Sequence, residues 1–357
     1  MSESEIETLQ DLHAFLHAAM QLEHATIPPY LTALYSILPG TNSDAHHVLR
    51  VAAVEEMLHL TLVANVLNAV GGDPDLTVPD FVPSYPAYLP DGERDFKVDR
   101  QRFSLACIQN FLEIERPHEA PSQEQSVIRR KEQRGPRLGA SPTAPEYQFF
   151  SIGEFYQAIG RGIQRLYSAM GDSLFAGNPN RQVTREYFFS GGGQVIPVTD
   201  VSSACRALDL IAGQGEGFGG GIYDAEGELS HYYRFQQLTL GRFYQPGDRP
   251  NEPTGPPVNV SWDASFPIKT NVTLADYPEG SELRSAAESF NRAYAEFLAF
   301  LTRAYTGEPA LLAEAIGDMF RLRDLINQLI RNPIPGLPGT NAAPTFEVAA
   351  LVWEGSA

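Results

Sequence analysis

The chain has 357 residues, of which 43% are hydrophobic and 20% charged, enough for one large domain or two smaller ones with a buried core. Its net charge of −18 would repel phosphate backbones and anionic membranes, so we expect no nucleic-acid partner and no membrane partner. The acidic start MSESEIETLQ lacks the features of a secretory signal, no apolar run is long enough to span a bilayer, and two cysteines suggest no disulfide framework. These features predict a soluble, cytoplasmic protein.

The first predicted helix covers about residues 6–27 and carries an acid on its apolar stripe. Helical spacing places these residues on one face: Leu9, Leu12, Leu16, Ala19, Glu23 and Ile27. Pro28-Pro29 is expected to end or kink the helix, because neither proline donates an amide to the helical ladder. A short helical continuation, YLTALYSIL, follows.

The second predicted helix covers about residues 44–70 and ends at Gly71-Gly72, with Asn42 or Ser43 as its N-cap. Its stripe steps alternately by three and four residues: Leu49, Ala52, Glu56, His59, Val63, Val66 and Val70. The short connection to the first helix predicts an antiparallel helical hairpin.

The remaining chain predicts shorter helices separated by long loops. The predicted helices lie at about residues 103–115, 151–170, 200–213, 228–241, 281–306 and 308–331. A short strand is predicted at QVIPV, residues 194–198, and the loops 73–102 and 116–150 are expected to cover a site and select its substrate. Within the latter loop, the charged stretch from Arg116 to Pro145 is predicted to be a mobile flap.

We therefore predict a single all-α domain over residues 1–357, a four-helix bundle with long loop inserts and two additional C-terminal helices. The parts are the bundle core at about 5–72 and 151–242, decorated loops at 73–150 and 243–277, a helical hairpin at 278–332, and an extended tail.

Glu56 and His59 form a Glu-x-x-His pair on one helical face. A surface pair, or a core histidine hydrogen-bonded to a nearby acid, is the plainer interpretation. However, a carboxylate buried in an apolar seam is costly unless a cation or hydrogen-bond donors compensate it. In a helical bundle such a pair can bridge two metal ions and bind one of them.

Glu23 is expected near this pair. It lies roughly 21 Å from the end of its helix, and Glu56 lies roughly 18 Å into the returning helix, so an antiparallel hairpin places both at similar depth. The alternative is that Glu23 is an exposed acid beside His24.

A second Glu-x-x-His occurs at Glu228 and His231, and Glu216 ends the helix before it. The glycine-rich connection lets the chain reverse and brings Glu216 and Glu228 to one end of a helix pair. Glu228 could instead be an ordinary first-turn acid, and Glu216 a loop acid. Glu154 competes with Glu216 as a ligand, although Ser151 and Glu154 also fit a capping box.

Two carboxylate-bearing helices and two Glu-x-x-His pairs are the ligands of a dinuclear carboxylate site. The predicted metal ligands are Glu23, Glu56, His59, Glu216, Glu228 and His231. Four carboxylates balance the charge of two divalent ions, and oxygen with imidazole ligands favours iron or manganese over a thiolate-preferring metal.

Several motifs together resemble the bacterial ferritin-like family, whose members are labelled iminophenyl-pyruvate dimer synthase or violacein-type ferritin-like domain proteins. They are LEHATIPPYLTALYSI, VAAVEEMLHLTLVANVLNAVGG, GEFY, QGEG, ELSHYYRF and PTFEVA. The resemblance spans most of residues 8–350. It implies a ferritin-like bundle, a link to bacterial secondary metabolism, and the same six ligands.

The expected function is a non-haem dinuclear metal oxidase or oxygenase, with two Fe ions (alternatively Mn or mixed Fe/Mn) and O₂ as co-substrate. Its partner would be a small organic substrate, and a homodimer stays an open alternative. The resemblance also implies a second hypothesis, oxidative coupling of imines derived from aromatic amino acids. The third is a metal-binding scaffold without turnover.

Overall fold

The computed structural model describes residues 6–91, 95–117, 149, 151–189, 191–217 and 220–348. Within these ranges the α-helices are α1 (Leu9–Ser36), α2 (Ser43–Ala69), α3 (Leu105–Ile114), α4 (Ile152–Met170), α5 (Val201–Glu216), α6 (His231–Leu240), α7 (Glu282–Tyr305) and α8 (Leu312–Ile330). The described residues form isolated β-bridges but no β-strand, so the predicted strand at 194–198 is wrong. Most of the loop 116–150, with its predicted flap, lies outside the described residues. No helix in the described part of the chain is both long and apolar enough to cross a membrane.

Helix α1 continues through Pro28-Pro29, so of the two predicted outcomes, an end or a kink, the end is wrong. Pro29 cannot donate to the carbonyl of Ala25, which lies four residues earlier. The hydroxyl of Tyr85 donates to this carbonyl instead, at 2.7 Å. A donor from a distant part of the chain thus replaces a missing helical hydrogen bond.

Helices α1 and α2 pack as the predicted antiparallel hairpin and form the most extensive helix–helix contact among the described residues. Asn42 is the N-cap of α2, but its side chain does not cap the helix. It accepts from the amide of Ser261 at 2.8 Å and donates to the carbonyl of the same residue at 3.0 Å. The turn is therefore fixed by a distant loop.

The third column of the bundle is formed by α3 and α4 together, which contact opposite halves of α1 through aromatic rings. Phe155 of α4 stacks on Phe15 in the N-terminal half of α1, with ring centroids 5.8 Å apart. Phe111 of α3 meets Tyr30 in the C-terminal half, at 4.5 Å. The third column thus has its break between the levels of Phe15 and Tyr30 of α1.

The fourth column is formed by α5 and α6, which lie along α2. Near the start of α5, Ile196 accepts from the side chain of Asn65 at 3.1 Å. Near the end of α5, the side chain of Gln214 contacts His59 of α2. The column then breaks, and His231, the first residue of α6, contacts Glu55 of α2. Both interrupted columns therefore break beside the middle of the α1–α2 hairpin.

Helices α7 and α8 form a second hairpin that covers another face of α1 and α2. Tyr294 contacts His24 of α1 at 2.7 Å, and Tyr305 contacts Thr61 of α2 at 3.0 Å. The α1–α2 hairpin is thus enclosed by the interrupted columns and by this C-terminal hairpin.

Candidate metal centre

Two clusters of acids and histidines share one residue, Glu56. The first joins Glu23, Glu56 and His59, and the second joins Glu56, Glu115 and His231. In each cluster one nitrogen or oxygen from every member lies within 4.8 Å of the others, and all five residues are buried. A carboxylate common to two such clusters is the arrangement expected of a bridging ligand.

His59 is oriented by a contact on its outer nitrogen. Its Nε2 lies 2.9 Å from Oε1 of Gln214, whose own Nε2 donates to the carbonyl of Gly192 at 2.9 Å. This second contact leaves the amide oxygen of Gln214 facing the imidazole, so Nε2 of His59 donates. Nδ1 then faces the acids, 3.1 Å from Glu23 Oε2 and 3.7 Å from Glu56 Oε2.

His231 is also oriented by a contact on its outer nitrogen, and it faces the other oxygen of Glu56. Its Nε2 donates to Oε2 of Glu55 at 2.7 Å. Its Nδ1 lies 3.0 Å from Glu56 Oε1 and 3.4 Å from Glu115 Oε1, yet it has no hydrogen-bond partner among the described residues. A fully buried nitrogen aimed between two carboxylates, without hydrogen-bond geometry to either, suits a shared cation.

The outer carboxylates are oriented by tyrosines. The hydroxyl of Tyr156 donates to Oε1 of Glu23, which leaves Oε2 toward His59. The hydroxyl of Tyr30 donates to Oε1 of Glu115. Burial and the adjacent acids raise the pKa of both phenols well above the ordinary value, so the tyrosines act as neutral donors.

Protons occupy this cluster at neutral pH when no metal is bound. Burial raises the pKa of Glu23 to about 7, despite the opposing hydrogen bond from His59. Burial lowers the pKa of His59, but its hydrogen bonds and charge interactions with Glu23 and Glu56 outweigh this and raise it to about 10. For Glu56, burial acts upward, but the two imidazoles bring the pKa well below its ordinary value. A cation would have to displace protons from the imidazoles.

The donor set fits a pair of divalent metal ions. Three carboxylates and two imidazole nitrogens converge, and Glu55 and Gln214 hold the imidazoles from outside, as partners of metal-bound histidines commonly do. Oxygen with imidazole donors suits iron or manganese. Each ion would have one histidine, one outer carboxylate and the shared Glu56.

Of the six predicted ligands, the structure brings four together: Glu23, Glu56, His59 and His231. Neither cluster of the described residues includes Glu216 or Glu228. Glu216 is buried, but its Oε1 accepts from the amide of Gly153 at 2.6 Å. This amide is at the N-terminus of α4, where a carboxylate satisfies an open donor and the helix dipole.

The expected helical pair of Glu228 and His231 needs a correction. Helix α6 begins at His231, and Glu228 precedes it in a turn closed by a bridge between Tyr223 and Leu229. The two side chains therefore do not share a helical face. The Glu228 side chain is 72% exposed and lies 3.9 Å from Arg234.

Sequence reasoning missed three residues: Glu115, Glu55 and Gln214. Glu115 had a signal, because it continues the helical spacing of Ile108 and Phe111, just as Glu23 continues an apolar stripe. No pattern in the sequence indicated that Glu55 and Gln214 would contact the imidazoles. The alternative ligand Glu154 donates its amide to Ser151, which caps α4 as predicted.

A cavity of about 560 Å³ adjoins the supports of both imidazoles. Glu55, Gln214, Arg234 and Glu228 are among the residues that line it. Arg234 donates to both oxygens of Glu55 at 3.1 Å. Burial raises the pKa of Glu55, but hydrogen bonding from His231 and the charge of Arg234 outweigh this and keep it below the ordinary value. Glu55 is thus held as an acceptor for His231.

Comparison with known proteins agrees with this architecture. The curated relative dichlorochromopyrrolate synthase of Lentzea aerocolonigenes is 26% identical over 328 residues, which cover 83% of this chain and 29% of that protein. This chain therefore spans less than a third of that relative's length. A crystal structure of a ferritin-like protein from Caulobacter vibrioides matches with a TM-score of 0.57 and 22% identity, covering 90% of this chain and 97% of that one. The sequence model of the Ferritin-like family matches residues 16–240. The all-α prediction and the resemblance are confirmed, and the chain belongs to the ferritin-like family.

Proposed function

We propose that the chain is a non-haem dinuclear metal oxidase or oxygenase acting on a small organic molecule. The observation that carries this proposal is Glu56, shared by two clusters that each supply one histidine and one outer carboxylate. Two bound iron ions, or manganese in their place, would supply the redox chemistry, passing electrons to O₂ and taking them from the substrate.

The chain's own residues would fix the geometry of such a centre. Gln214 and Glu55 hold the outer nitrogens of the imidazoles, so each Nδ1 is directed toward the carboxylates. Tyr156 and Tyr30 hold one oxygen of each outer carboxylate. Because every one of these side chains is buried, bulk water is kept from the reacting atoms.

The cavity beside Glu55 and Gln214 is the substrate site that we propose. Its volume of about 560 Å³ falls within the range of small-molecule pockets. A molecule lying there would touch the groups that orient His59 and His231. This placement supports a small substrate, which we also propose belongs to bacterial secondary metabolism.

Metal analysis tests the ligand set. Protein produced with iron and manganese is expected to hold two metal ions per chain, and Glu115→Gln is expected to lower this number. Glu228→Gln is the matched control, because that side chain is largely exposed, and it is expected to keep the wild-type content. Well under one metal ion per chain in the wild type, unchanged by Glu56→Ala, would refute the proposed centre.

Turnover separates an oxidase from a metal-binding scaffold. Protein loaded with ferrous iron without oxygen is expected to consume O₂ and to change its near-ultraviolet and visible absorbance when air is admitted. The same loading of Glu56→Ala should give neither signal. A fully loaded wild-type protein that consumes no O₂ would favour the scaffold.

Oxidative coupling of imines derived from aromatic amino acids is the second candidate. The resemblance to dimer synthases supports it. A match to a dichlorochromopyrrolate synthase, which covers 83% of this chain at 26% identity, supports it as well. The metal-loaded protein would be incubated with the imine that an amino-acid oxidase makes from tryptophan. A coupled dimer seen by mass spectrometry would support this activity, and oxidised monomer alone would count against it.

A further inference from the structure

The cavity proposed as the substrate site is lined on one side by a single face of α6. His231, Arg234 and Gln237 follow one another at intervals of three residues, so they lie on the same side of the helix. His231 and Arg234 both contact Glu55 of α2. Gln237, one turn farther along, lines the cavity. The face of α6 that orients the candidate metal centre therefore continues into the wall of this cavity.

Gln237 is a buried polar side chain without a partner. The residue is only 5% exposed, and its side-chain amide has no hydrogen-bond partner among the described residues. The amide nevertheless keeps accessible surface, which it has toward the cavity. Gln214 in the same wall differs, because His59 and the carbonyl of Gly192 hold both ends of its amide. An unpaired buried amide is costly, so a ligand that pairs with Gln237 would be favoured.

The charges of the wall decide which ligand fits. Four carboxylates line the cavity, together with one guanidinium and one imidazole: Asp44, Glu55, Glu226, Glu228, Arg234 and His47. Arg234 already donates to both oxygens of Glu55 and lies 3.9 Å from Glu228. Asp44 and Glu226 have no ion pair among the described residues. The wall is thus negative in either protonation state of His47, which favours a cation and disfavours a carboxylate.

We infer that this cavity takes a small amine with an apolar body. The inference rests on the proposed function, because it takes this cavity as the substrate site. The protonated nitrogen has three N–H donors and no acceptor, so it donates to the side-chain carbonyl of Gln237 and is attracted by Asp44 and Glu226. The apolar body would contact the four apolar side chains of the wall: Val48, Val51, Leu229 and Phe243.

Phenethylamine and hydrocinnamate are the probes, because they share a ring and a two-carbon chain and differ in the sign of the charge. Calorimetric titration at about 0.15 M salt screens the long-range effect of the net charge. The amine is expected to bind saturably and about ten-fold or more tighter than the carboxylate, as a charge-assisted hydrogen bond allows. Absent amine binding, or equal binding of both probes, would overturn the inference.

Gln237→Met tests the polar contact, since it removes the amide at similar volume. It is expected to weaken amine binding about ten-fold. Gln236→Met is the matched control, because Gln236 pairs with Asn251 and Tyr244 and does not line the cavity. It should bind the amine as the wild type does. Unchanged binding in Gln237→Met, or equal losses in the two variants, would contradict the role of Gln237.

A pair of double variants tests the charges. Asp44→Asn with Glu226→Gln should weaken amine binding about three- to ten-fold and reduce the preference over hydrocinnamate. Glu186→Gln with Glu314→Gln removes the same charge from exposed acids outside the cavity and should leave both unchanged. Equal effects of the two double variants would show attraction by the net charge alone and overturn the assignment of the wall.

All titrations are made on the folded chain both without metal and loaded with manganese. A protein that holds two metal ions and consumes O₂ with iron, but does not bind phenethylamine, would overturn this inference and leave the proposed function standing. A protein that binds the amine with the expected dependence on Gln237, but holds no metal, would support the amine site and refute the metal centre.

Discussion

At the scale of single residues, the candidate centre depends on which nitrogen of each histidine is occupied. Gln214 and Glu55 each take Nε2, so His59 presents Nδ1 to Oε2 of Glu56 and His231 presents Nδ1 to Oε1. Once Nδ1 has lost its proton, this arrangement directs its lone pair toward a metal. These two supports are therefore as important to the proposed site as the ligands.

Replacing Gln214 by Met should weaken metal binding about 10- to 100-fold, because His59 loses the acceptor that orients it. Gln214→Glu keeps an acceptor and should retain most of the affinity. Gln236→Met is the matched control, a similarly buried glutamine that pairs with Asn251 and Tyr244. Metal titration measures all three, and equal losses in Gln214→Met and Gln236→Met would contradict the orienting role.

Metal affinity should rise with pH between about 6 and 9, because a ligand must lose its proton before it binds a metal ion. The pKa of His59 is raised to about 10 and that of Glu23 to about 7, so both hold protons at neutral pH without metal. Higher pH removes this competition. Calorimetric titration in buffers of different ionisation enthalpy should show proton release, and an affinity that is flat or falls with pH would refute the assignment.

At the scale of elements, the bundle has two continuous helices and two interrupted columns. Breaks in the columns bring the end of α3, the end of α5 and the start of α6 to the middle of the α1–α2 hairpin. Helix ends carry open amides and carbonyls. An open amide at the start of α4 explains why Glu216 accepts a hydrogen bond there and does not join the metal cluster. Glu115, at the end of α3, occupies the cluster instead.

The continuity of α1 depends on Tyr85. Tyr85→Phe should destabilise the fold by about 1–3 kcal/mol, because the carbonyl of Ala25 is left buried and unpaired. In a Pro29→Ala background the loss should be smaller, since an alanine at that position supplies the missing amide. Urea unfolding of the four proteins gives the coupling, and the same loss in both backgrounds would contradict this account.

Glycine at position 153 is required by the contact with Glu216. A Cβ there would lie 2.5 Å from Oε2 of Glu216, so Gly153→Ala must displace that carboxylate from the amide it caps. We expect a loss of about 1–3 kcal/mol. Gly160→Ala in the same helix meets nothing closer than 4.0 Å and should be neutral or stabilising by up to about 1 kcal/mol. Thermal unfolding compares them, and equal stabilities would contradict the contact.

At the scale of the whole molecule, the proposed ligands join separate parts of the chain. Glu23 and Glu56 come from the α1–α2 hairpin, Glu115 from the residue after α3, and His231 from the start of α6. Metal ions bound here would link both continuous helices to both interrupted columns. The loaded protein should therefore resist unfolding more than the metal-free protein.

Manganese at about 100 times its dissociation constant should add about 2.7 kcal/mol to the free energy of unfolding. This corresponds to an increase in Tm of several degrees, reversed by a chelator. Glu56→Gln should abolish the increase, because it removes the shared ligand, whereas Glu228→Gln should keep it. Thermal scans with and without manganese measure this, and an equal increase in Glu56→Gln would place the stabilising ion elsewhere.

Local patterns in the sequence were enough to predict the α1–α2 hairpin and the depth of Glu23, Glu56 and His59 in it. Helical periodicity and one short turn are local properties, and an acid on an apolar stripe remains visible without any partner. The all-α class and the cap at Ser151 were predictable for the same reason.

The completion of the centre depends on tertiary packing. The choice of Glu115 over Glu216 and Glu228, and the supports from Glu55 and Gln214, arise where helix ends from distant parts of the chain meet. The same holds for Tyr85, which lets α1 pass through two prolines. These contacts depend on packing between segments with no fixed spacing in the sequence, so a local pattern can mark Glu115 as an acid on an apolar stripe but cannot specify its partners.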